Sequence, residues 1–369
     1  MKVLVVDDSV LYRRAIIKAL NEIPAVTEIN EASNGKEAAR KFEENPADLV
    51  TLDIEMPLMN GIDTIPHLLK ANPKAYILMI SSLTQKGATK TIDALNAGAS
   101  DFLTKEHAFG LSEDHKNILV DEIKERINYL TPEKLNETKV SKVVKSTQTT
   151  TKVASKAVEI KPKSSDVQQS PVSIVLVGSS TGGPKALQNL LKPIDKNRNY
   201  AIVIVQHMPP IFTAQLADNL TRQTGHKVVE ATEGMQVTKG DIVIAPGGVH
   251  LELKKSHTKW ICALTEDPPV NSCRPSVDVT FMSVARQMRQ KEVLGIMLTG
   301  MGEDGAQGCL KLYEQETIIL TQDKNSCTVY GMPRAVDELN ISTSSLAPIF
   351  LIKHAEKYMI TPRDLSRGF

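Results

Sequence analysis

The sequence predicts an α/β protein with two domains, an N-terminal five-stranded doubly wound domain and a C-terminal domain with a mostly parallel sheet. In both halves, short apolar runs alternate with helical patterns, as they do in repeated βα units. Between the halves, residues 131–172 are rich in Lys, Thr, Ser and Val and have no sustained hydrophobic period. We therefore expect domains at residues 1–130 and 173–369, joined by a flexible linker over residues 131–172.

Composition and charge exclude several classes of protein. The net charge of +1 divides into −5 for residues 1–130, +4 for residues 131–172 and +2 for the remainder, so neither domain has the basic excess of a nucleic-acid-binding protein. The basic linker leaves open an alternative in which it docks on an acidic partner. No apolar run reaches the length of a spanning helix, and acids follow the first strand where a signal peptide would be apolar. We expect a cytoplasmic protein without direct membrane insertion, whose four cysteines are reduced thiols because they lack Cys-x-x-Cys spacing.

Five apolar runs of the first domain predict buried parallel strands, at residues 3–6, 26–29, 49–52, 77–80 and 102–103. Helical patterns at about residues 10–43, 61–71, 86–97 and 114–130 separate them, and the first of these stretches contains two helices. In a doubly wound sheet the functional residues lie beyond the carboxyl ends of the strands. In this domain those ends carry Asp7, Asp8, Asp53, Ser81 and Lys105.

These side chains suit phosphoryl transfer to a carboxylate. Three carboxylates in one place repel each other unless a hard cation neutralises them, and Mg²⁺ prefers oxygen ligands of this kind. With Mg²⁺ and a lysine ammonium screening the charge, a carboxylate oxygen can attack a phosphoryl group to give an acyl phosphate. A single acid at a strand end is readily explained as a solvated loop residue, but acids, a hydroxyl and a lysine at four strand ends favour a functional site.

Three motifs of this domain resemble the receiver domain of two-component response regulators over about residues 1–125, which implies a flavodoxin-like fold. They are Val5-Val6-Asp7-Asp8-Ser9, the stretch from Leu52 to Gly61, and Asp101-Phe102-Leu103-Thr104-Lys105. The resemblance implies that Asp53 is the phosphoacceptor and that Asp7, Asp8, Asp53 and the carbonyl of Glu55 form the Mg²⁺ site. It also implies a switch hydroxyl at Ser81, a switch aromatic ring at Phe102 and a phosphate-contacting cation at Lys105. Glu106 stands where the family usually has proline, so the loop after this strand would lack the cis-proline that shapes it in the family.

The second domain resumes the alternation of strands and helices. Strands are predicted at residues 174–177, 201–205, 242–245, 259–264, 293–298 and 317–320, and helices near 184–191, 211–223, 278–290, 305–313 and 333–338. Polar loops follow several of these strands, and in a parallel sheet such loops open on one edge. These loops carry Ser180, His207, His250 and Asp304.

The loop from Gly178 to Gly183 connects a strand to a helix and has three interpretations. Its glycine spacing suits a phosphate-binding loop, but Pro184-Lys185-Ala186 replaces the required Gly-Lys-Ser/Thr. A capping turn is a second interpretation, and a serine nucleophile is the third. A serine hydroxyl needs an adjacent imidazole to take its proton and a carboxylate to orient that imidazole. His207 and Asp304 meet that need, although Asp304 is also a candidate helix cap, and His250 is a rival base because it too follows a glycine turn.

Four segments of the second domain resemble the catalytic domain of chemotaxis protein-glutamate methylesterases, the CheB family. They begin at Gly178, Gln206, Asn271 and Leu298, and read Gly-Ser-Ser-Thr-Gly-Gly-Pro, Gln-His-Met-Pro-Pro, Asn-Ser-Cys-Arg-Pro-Ser-Val-Asp-Val and Leu-Thr-Gly-Met-Gly-Glu-Asp-Gly. With the receiver and linker in front, the resemblance spans nearly the whole chain. Cys273 stands where the family often has histidine, and Glu303 where it often has asparagine.

The resemblance implies hydrolysis of glutamate γ-methyl esters on chemoreceptors with release of methanol, and often deamidation of receptor glutamine. It makes Ser180 the nucleophile rather than Ser179, His207 the base and Asp304 the orienting acid, with no cofactor for the esterase reaction. We expect backbone N–H groups at Thr181, Gly182, Gly183 or Met301 to bind the oxyanion. The implied partners are methyl-accepting chemotaxis receptors as substrate and a histidine kinase of the CheA type as phosphodonor.

The sequence also bears on how the second domain is regulated and on two other functions that it could have. We expect the unphosphorylated receiver to lie over the esterase cleft and to restrain it. A DNA-binding output is excluded because the second domain is too large, too rich in strands and too neutral. A receiver-controlled binding protein with an inactive esterase-like domain stays as the alternative, and a wild-type protein without hydrolase activity would favour it.

Overall fold

A computed structural model of the chain describes residues 1–105, 113–130, 173–257, 259–288 and 292–359. It confirms the α/β class, with one sheet in each half of the chain. The predicted linker at residues 131–172 and the departure at Glu106 lie outside the described residues, so the domain boundaries stay predictions. In the described part of the chain, no helix is both long and apolar enough to cross a membrane.

The N-terminal sheet has five parallel strands in the order β2-β1-β3-β4-β5. The strands are β1 (Lys2–Val6), β2 (Glu28–Ala32), β3 (Leu49–Asp53), β4 (Tyr76–Ser81) and β5 (Asp101–Thr104), and the helices are α1 (Val10–Asn21), α2 (Gly35–Glu44), α3 (Gly61–Ala71), α4 (Gln85–Ala97) and α5 (Glu113–Leu130). Strand β2 lies later in the chain than the apolar run at 26–29 that predicted it. It is an edge strand with several partly or fully exposed residues, so polar side chains continue it beyond that run.

The C-terminal domain has a seven-stranded parallel sheet in the order β15-β14-β13-β6-β7-β10-β8. Its strands are β6 (Ile174–Ser179), β7 (Ala201–Gln206), β8 (Val228–Glu230), β10 (Ile242–Ile244), β13 (Val293–Met297), β14 (Ile318–Gln322) and β15 (Ser344–Leu346). Its helices are α6 (Gly183–Leu191), α7 (Phe212–Thr224), α8 (Val277–Ala285), α9 (Ala306–Glu314), α10 (Met332–Glu338) and α11 (Pro348–Met359). Strand β6 lies between β13 and β7, and the loops after these three strands are the ones that carry the predicted serine, histidine and aspartate.

A second sheet of three antiparallel strands, in the order β11-β12-β9, packs beside the main sheet. These strands are β9 (Gln236–Val237), β11 (His250–Ser256) and β12 (Lys259–Thr265). The predicted strand at 259–264 belongs here rather than to the parallel sheet, because β12 pairs antiparallel with β11, its neighbour along the chain. Helix α8 packs on β11 and α9, and this packing places the beginning of α8 beside the loop after β13.

The N-terminal domain packs on the C-terminal domain through α4 and β5. Helix α4 lies against α7, where Thr89 Oγ1 donates a hydrogen bond to Gln215 Oε1 at 2.8 Å and the amides of Asn96 and Asn219 are hydrogen bonded. The ring of Phe102 in β5 stacks on Phe212 at the start of α7, with centroids 4.7 Å apart. Buried apolar residues of the two domains form one continuous cluster. The two domains therefore share an apolar contact on the side of the receiver that carries the predicted switch aromatic.

Candidate active site

Ser180 stands at the corner between β6 and α6, and its neighbours fix that corner. Ser179 is fully buried and its Oγ donates to Gln206 Oε1 at 2.7 Å, so this hydroxyl is structural. A side chain at Gly183 would bring Cβ within 1.9 Å of the same Gln206 oxygen, so only glycine fits. Ser180 is half-buried and lines a cavity of about 670 Å³. The structure thus leaves Ser180, and not Ser179, facing the cavity.

His207 and Asp304 form a hydrogen-bonded pair at the same edge of the sheet. His207 Nε2 lies 2.8 Å from Asp304 Oδ2, and the Asp304 side chain is 2% exposed. The carboxylate also accepts hydrogen bonds from Val277 N at 2.6 Å, Ser276 Oγ at 2.8 Å and Asn271 Nδ2 at 3.0 Å. Burial acts to raise the pKa of Asp304, but the hydrogen bond and the charge of His207, and then the hydrogen bonds from Asn271 and Ser276, outweigh it and lower the pKa to about 2. Asp304 is therefore an ionised acid that fixes the orientation of the imidazole.

The second nitrogen of His207 contacts a thiol. Cys273 Sγ lies 3.4 Å from His207 Nδ1, and among the described residues the hydrogen bonds do not include one between Ser180 Oγ and His207. Burial disfavours the charged imidazole, but the hydrogen bonds to Asp304 and then Cys273 prevail and raise the pKa of His207 to about 10. The ring in this arrangement favours its protonated form, which cannot accept the serine proton. All three members of the predicted triad line one cavity, with the serine and the histidine not yet hydrogen bonded.

The rival base His250 lies away from the cavity, whereas most of the predicted oxyanion donors line it. His250 is fully buried, with Nδ1 accepting from Ser276 N at 3.2 Å and Nε2 lying 3.1 Å from Pro268 O, so it holds loops together and does not face the cavity. Gly183 N donates to Ser180 O at 2.8 Å and is already occupied. Thr181, Gly182 and Met301 line the cavity beside Ser180 and stay as the candidate oxyanion donors.

The N-terminal domain brings its three predicted acidic residues together. One carboxylate oxygen each from Asp7, Asp8 and Asp53 lie within 4.8 Å of one another. Lys105 Nζ is 3.0 Å from Asp53 Oδ1 and 3.5 Å from Asp7 Oδ2. Burial raises the pKa of Asp53 to about 6 in spite of the Lys105 charge. Asp7 Oδ2 is buried without a hydrogen-bond donor, and an all-oxygen set with such an orphaned atom fits a hard divalent cation. The Glu55 side chain is paired with Lys90, and the Glu55 backbone carbonyl stays a predicted ligand.

The switch residues lie between the acidic site and the catalytic domain. Ser81 is buried at the end of β4, next to Asp53 on β3, and its Oγ is 2.6 Å from Thr91 Oγ1 of α4. Phe102 reaches the catalytic domain through its stack on Phe212. The structure therefore connects the predicted phosphoacceptor to α4 and β5, the two elements that contact the catalytic domain.

A direct hydrogen bond joins the N-terminal domain to the loop that carries Ser180. Thr181 Oγ1 donates to Asp101 Oδ2 at 2.9 Å, and the same oxygen accepts from Arg126 Nε at 3.1 Å and from Tyr76 Oη at 3.3 Å. Sequence reasoning did not single out Asp101, Phe212 or Asn271 as functional. Asp101 stood inside the quoted receiver motif, which was a usable signal, whereas Phe212 is visible only as one more apolar residue of a helix.

Comparison with known proteins agrees with this architecture. The family described as CheB methylesterase matches residues 175–354, and the response regulator receiver domain family matches residues 3–111. The protein-glutamate methylesterase/protein-glutamine glutaminase of Desulfotalea psychrophila is 37% identical over 92% of this chain and 93% of its own length. The relative of the same name in Thermotoga maritima is 36% identical over 92% of each chain. The crystal structure of the Thermotoga maritima CheB methylesterase catalytic domain aligns over 52% of this chain and 98% of its own, with 36% identity and a TM-score of 0.48. This chain belongs to the CheB family of methylesterases that carry an N-terminal receiver domain.

Proposed function

We propose that Ser180, His207 and Asp304 hydrolyse glutamate γ-methyl esters on methyl-accepting chemotaxis receptors. Membership of the family makes the chain a protein-glutamate methylesterase regulated by phosphorylation in chemotaxis. The observation that carries the residue assignment is the 2.8 Å hydrogen bond between His207 and the buried Asp304, at the sheet edge where Ser180 follows the adjacent strand. A carboxylate–imidazole pair beside a loop serine is the arrangement that activates a hydroxyl for acyl transfer.

In this mechanism His207 takes the proton of Ser180 as the hydroxyl attacks the ester carbonyl. Backbone N–H groups at Thr181, Gly182 or Met301 stabilise the oxyanion. His207 then gives the proton to the departing methoxide, which leaves as methanol, and water hydrolyses the acyl-enzyme by the same steps in reverse. A glutamine side chain would react in the same way with loss of ammonia, so we include deamidation of receptor glutamine in the proposal. None of these steps uses a cofactor.

The receiver is the proposed regulatory input. Asp7, Asp8, Asp53 and the carbonyl of Glu55 would hold Mg²⁺, which when bound neutralises the charge that Asp53 and a phosphoryl group bring together. Asp53 accepts the phosphoryl group from a histidine kinase of the CheA type, and the protein acts in the cytoplasm, where kinase and receptor tails meet. Lys105 and Ser81 would contact the phosphoryl oxygens; in support, Lys105 Nζ lies 3.0 Å from Asp53 Oδ1 and Ser81 lines the same pocket as Asp53.

The unphosphorylated receiver restrains the esterase in this proposal. Residues of both domains line the cavity at Ser180, and Thr181, its neighbour in the loop, is held by Asp101. Phosphorylation draws Ser81 and Lys105 toward Asp53, and Phe102 changes position with them. Loss of the stack on Phe212 would then release α4 from α7 and open the cavity.

Methanol release from methylated receptor fragments tests the catalytic part. We expect full-length wild type to release methanol faster with Mg²⁺ and a small phosphodonor than without them, and Ser180→Ala to release none above background. Ser179→Ala is the matched control, because it removes the neighbouring hydroxyl that faces Gln206, and we expect it to stay active. A wild type without hydrolysis would favour the alternative of a binding protein, and an active Ser180→Ala variant would overturn the assignment of the nucleophile.

Activity of residues 171–369 alone tests the restraint. Removal of the receiver takes away Asp101 and Phe102, so we expect this fragment to release methanol faster than the unphosphorylated full-length protein. Circular dichroism establishes that the fragment is folded before its rate is compared. Equal rates for a folded fragment and the unphosphorylated full-length protein would contradict the proposal.

A further inference from the structure

A thiol and the catalytic imidazole face each other in the cavity. Cys273 Sγ is 3.4 Å from His207 Nδ1, and both side chains line the cavity between the two domains. The thiol is held in place by a short turn in which Val270 N donates to Cys273 O at 3.1 Å and Cys273 N donates to Val270 O at 2.9 Å. Cys262 and Cys309, in contrast, are buried in the apolar core of the domain. A soft sulfur ligand and a nitrogen ligand are therefore presented together, at a place that solvent reaches.

The spacing of the two atoms is that of two ligands of one zinc ion. Zinc in proteins is bound at about 2.3 Å by cysteine sulfur and at about 2.0–2.1 Å by histidine nitrogen, with tetrahedral angles. Those bond lengths and angles place sulfur and nitrogen about 3.5 Å apart. The observed 3.4 Å needs almost no movement of either side chain.

Asp304 supplies the outer partner that such a site requires. Histidines that bind a metal through one nitrogen commonly donate the other N–H to a carboxylate, which fixes the ring and its tautomer. Here His207 Nε2 is 2.8 Å from Asp304 Oδ2, so Nδ1 is the ring nitrogen that faces Cys273. Asp304 itself is an outer partner rather than a ligand, because Val277 N, Ser276 Oγ and Asn271 Nδ2 already occupy its oxygens.

We propose that Cys273 Sγ and His207 Nδ1 form an inhibitory site for Zn²⁺, with water completing the coordination. Binding releases two protons to solvent, one from the Cys273 thiol and one from Nδ1 of the protonated imidazole. The ion then occupies Nδ1, so His207 can no longer accept the proton of Ser180. Soft sulfur with imidazole selects zinc-like ions, whereas the all-oxygen site of the receiver selects Mg²⁺, so the two ions do not compete for one place. The inhibition rests on the proposed role of His207, but binding of the ion does not.

Cobalt(II) titration of the full-length protein in excess Mg²⁺ tests the site without reference to catalysis. Mg²⁺ fills the receiver site, and a thiolate bound to Co²⁺ gives a charge-transfer band in the near ultraviolet. We expect this band in wild type, its loss in both Cys273→Ser and His207→Ala, and its retention in the control Cys327→Ser. Absence of the band from wild type, or its persistence in folded Cys273→Ser, would overturn the site.

Zinc inhibition of methanol release adds the functional readout. For each variant we compare the rate with added Zn²⁺ to its own rate with a chelator, so a change in basal activity does not enter the comparison. We expect inhibition of wild type that a chelator reverses, and an apparent zinc affinity at least about tenfold weaker in Cys273→Ser. Equal sensitivity of wild type and Cys273→Ser would overturn the inhibition. If no form of the protein releases methanol, the proposed function fails while the cobalt band still decides the metal site.

Discussion

At the scale of single residues, Asp304 combines two tasks. It orients His207, and it accepts hydrogen bonds from the residues at the start of α8. Its pKa of about 2, which His207 lowers more than any other group, keeps the carboxylate ionised throughout the physiological range, so it can stabilise an imidazolium during turnover. The Asp304 side chain thus links the orientation of the His207 imidazole to the position of helix α8.

We expect Asp304→Asn to lower kcat by a factor on the order of 10³–10⁴, because the amide favours the wrong tautomer of His207. Asp267→Asn is a suitable control, since Asp267 is exposed on the loop before Cys273. Methanol release under saturating receptor fragment measures the effect. A variant that stays folded and keeps kcat within a factor of a few would show that His207 does not depend on Asp304.

The four cysteines should differ in reactivity. Burial raises the pKa of Cys262 to about 11 and that of Cys327 to about 12, and it raises the pKa of Cys309 well above its usual value. Because the thiolate is the reactive form, we expect iodoacetamide at neutral pH to label Cys273 first, and the other three only after unfolding or at strongly alkaline pH. Peptide mass spectrometry over time measures the order. Early labelling of Cys309 would contradict the burial described.

The residues of the proposed triad were predictable because each follows an apolar strand. The pattern of strands and turns alone did not separate His207 from His250, since both follow a strand and stand near turn residues, and only the family resemblance favoured His207. The structure separates them through long-range contacts: His250 is buried against Ser276 and Pro268, whereas His207 lines the cavity. Contacts of this kind join residues far apart in the chain, and no local pattern records them.

At the scale of elements, the stack between β5 and α7 is the contact on which the proposed restraint depends. An aromatic pair contributes about 0.5–1.5 kcal/mol beyond the burial of its surface. We expect Phe212→Leu, which keeps an apolar side chain there, to raise the rate of the unphosphorylated protein by about two- to tenfold. The rate with phosphodonor should stay nearly the same.

Phe281→Leu is the matched control for that prediction. Phe281 is a fully buried phenylalanine of the same domain, but it belongs to the other apolar cluster and does not contact the receiver residue Phe102. We expect no rise in the unphosphorylated rate for this variant. Equal effects of the two substitutions would assign the change to general loosening of the domain.

The start of α8 is a second element with a defined role. Ser276 caps the helix by accepting from Val279 N at 3.4 Å, and it donates to Asp304 at 2.8 Å. We expect Ser276→Ala to lower the free energy of unfolding by about 1–2 kcal/mol, since a cap and a hydrogen bond to a charged group are lost. Denaturant unfolding measures the change. A variant as stable as wild type would show that the cap contributes nothing.

Most elements of the main sheets were predictable, and the exceptions have physical reasons. Long apolar runs located the central strands of both sheets, because strands covered on both faces must be apolar throughout. Strand β2 shifted because an edge strand tolerates polar residues. Strand β12 joined a separate antiparallel sheet because its partner β11 precedes it directly, and periodicity carries no information about the direction of pairing.

At the scale of the whole molecule, the two domains meet at the loop that carries Ser180, where Thr181 is hydrogen bonded to Asp101. We expect phosphorylation to increase amide hydrogen exchange in α4 and α7, the helices that pack across the contact. Asp53→Asn, which cannot accept the phosphoryl group, should show no increase under the same conditions. Unchanged exchange in phosphorylated wild type would mean that activation leaves the domains in contact.

The shared Asp101 oxygen limits which receivers can serve this hydrolase. Its bonds to Arg126 and Tyr76 lie within the receiver, and its bond to Thr181 crosses to the partner domain. A chimera whose receiver came from another response regulator without an acid at this position would keep its own phosphorylation chemistry. It would nevertheless lack the hydrogen bond to Thr181. We expect such a hybrid to hydrolyse its substrate at the same rate whether or not its new receiver is phosphorylated.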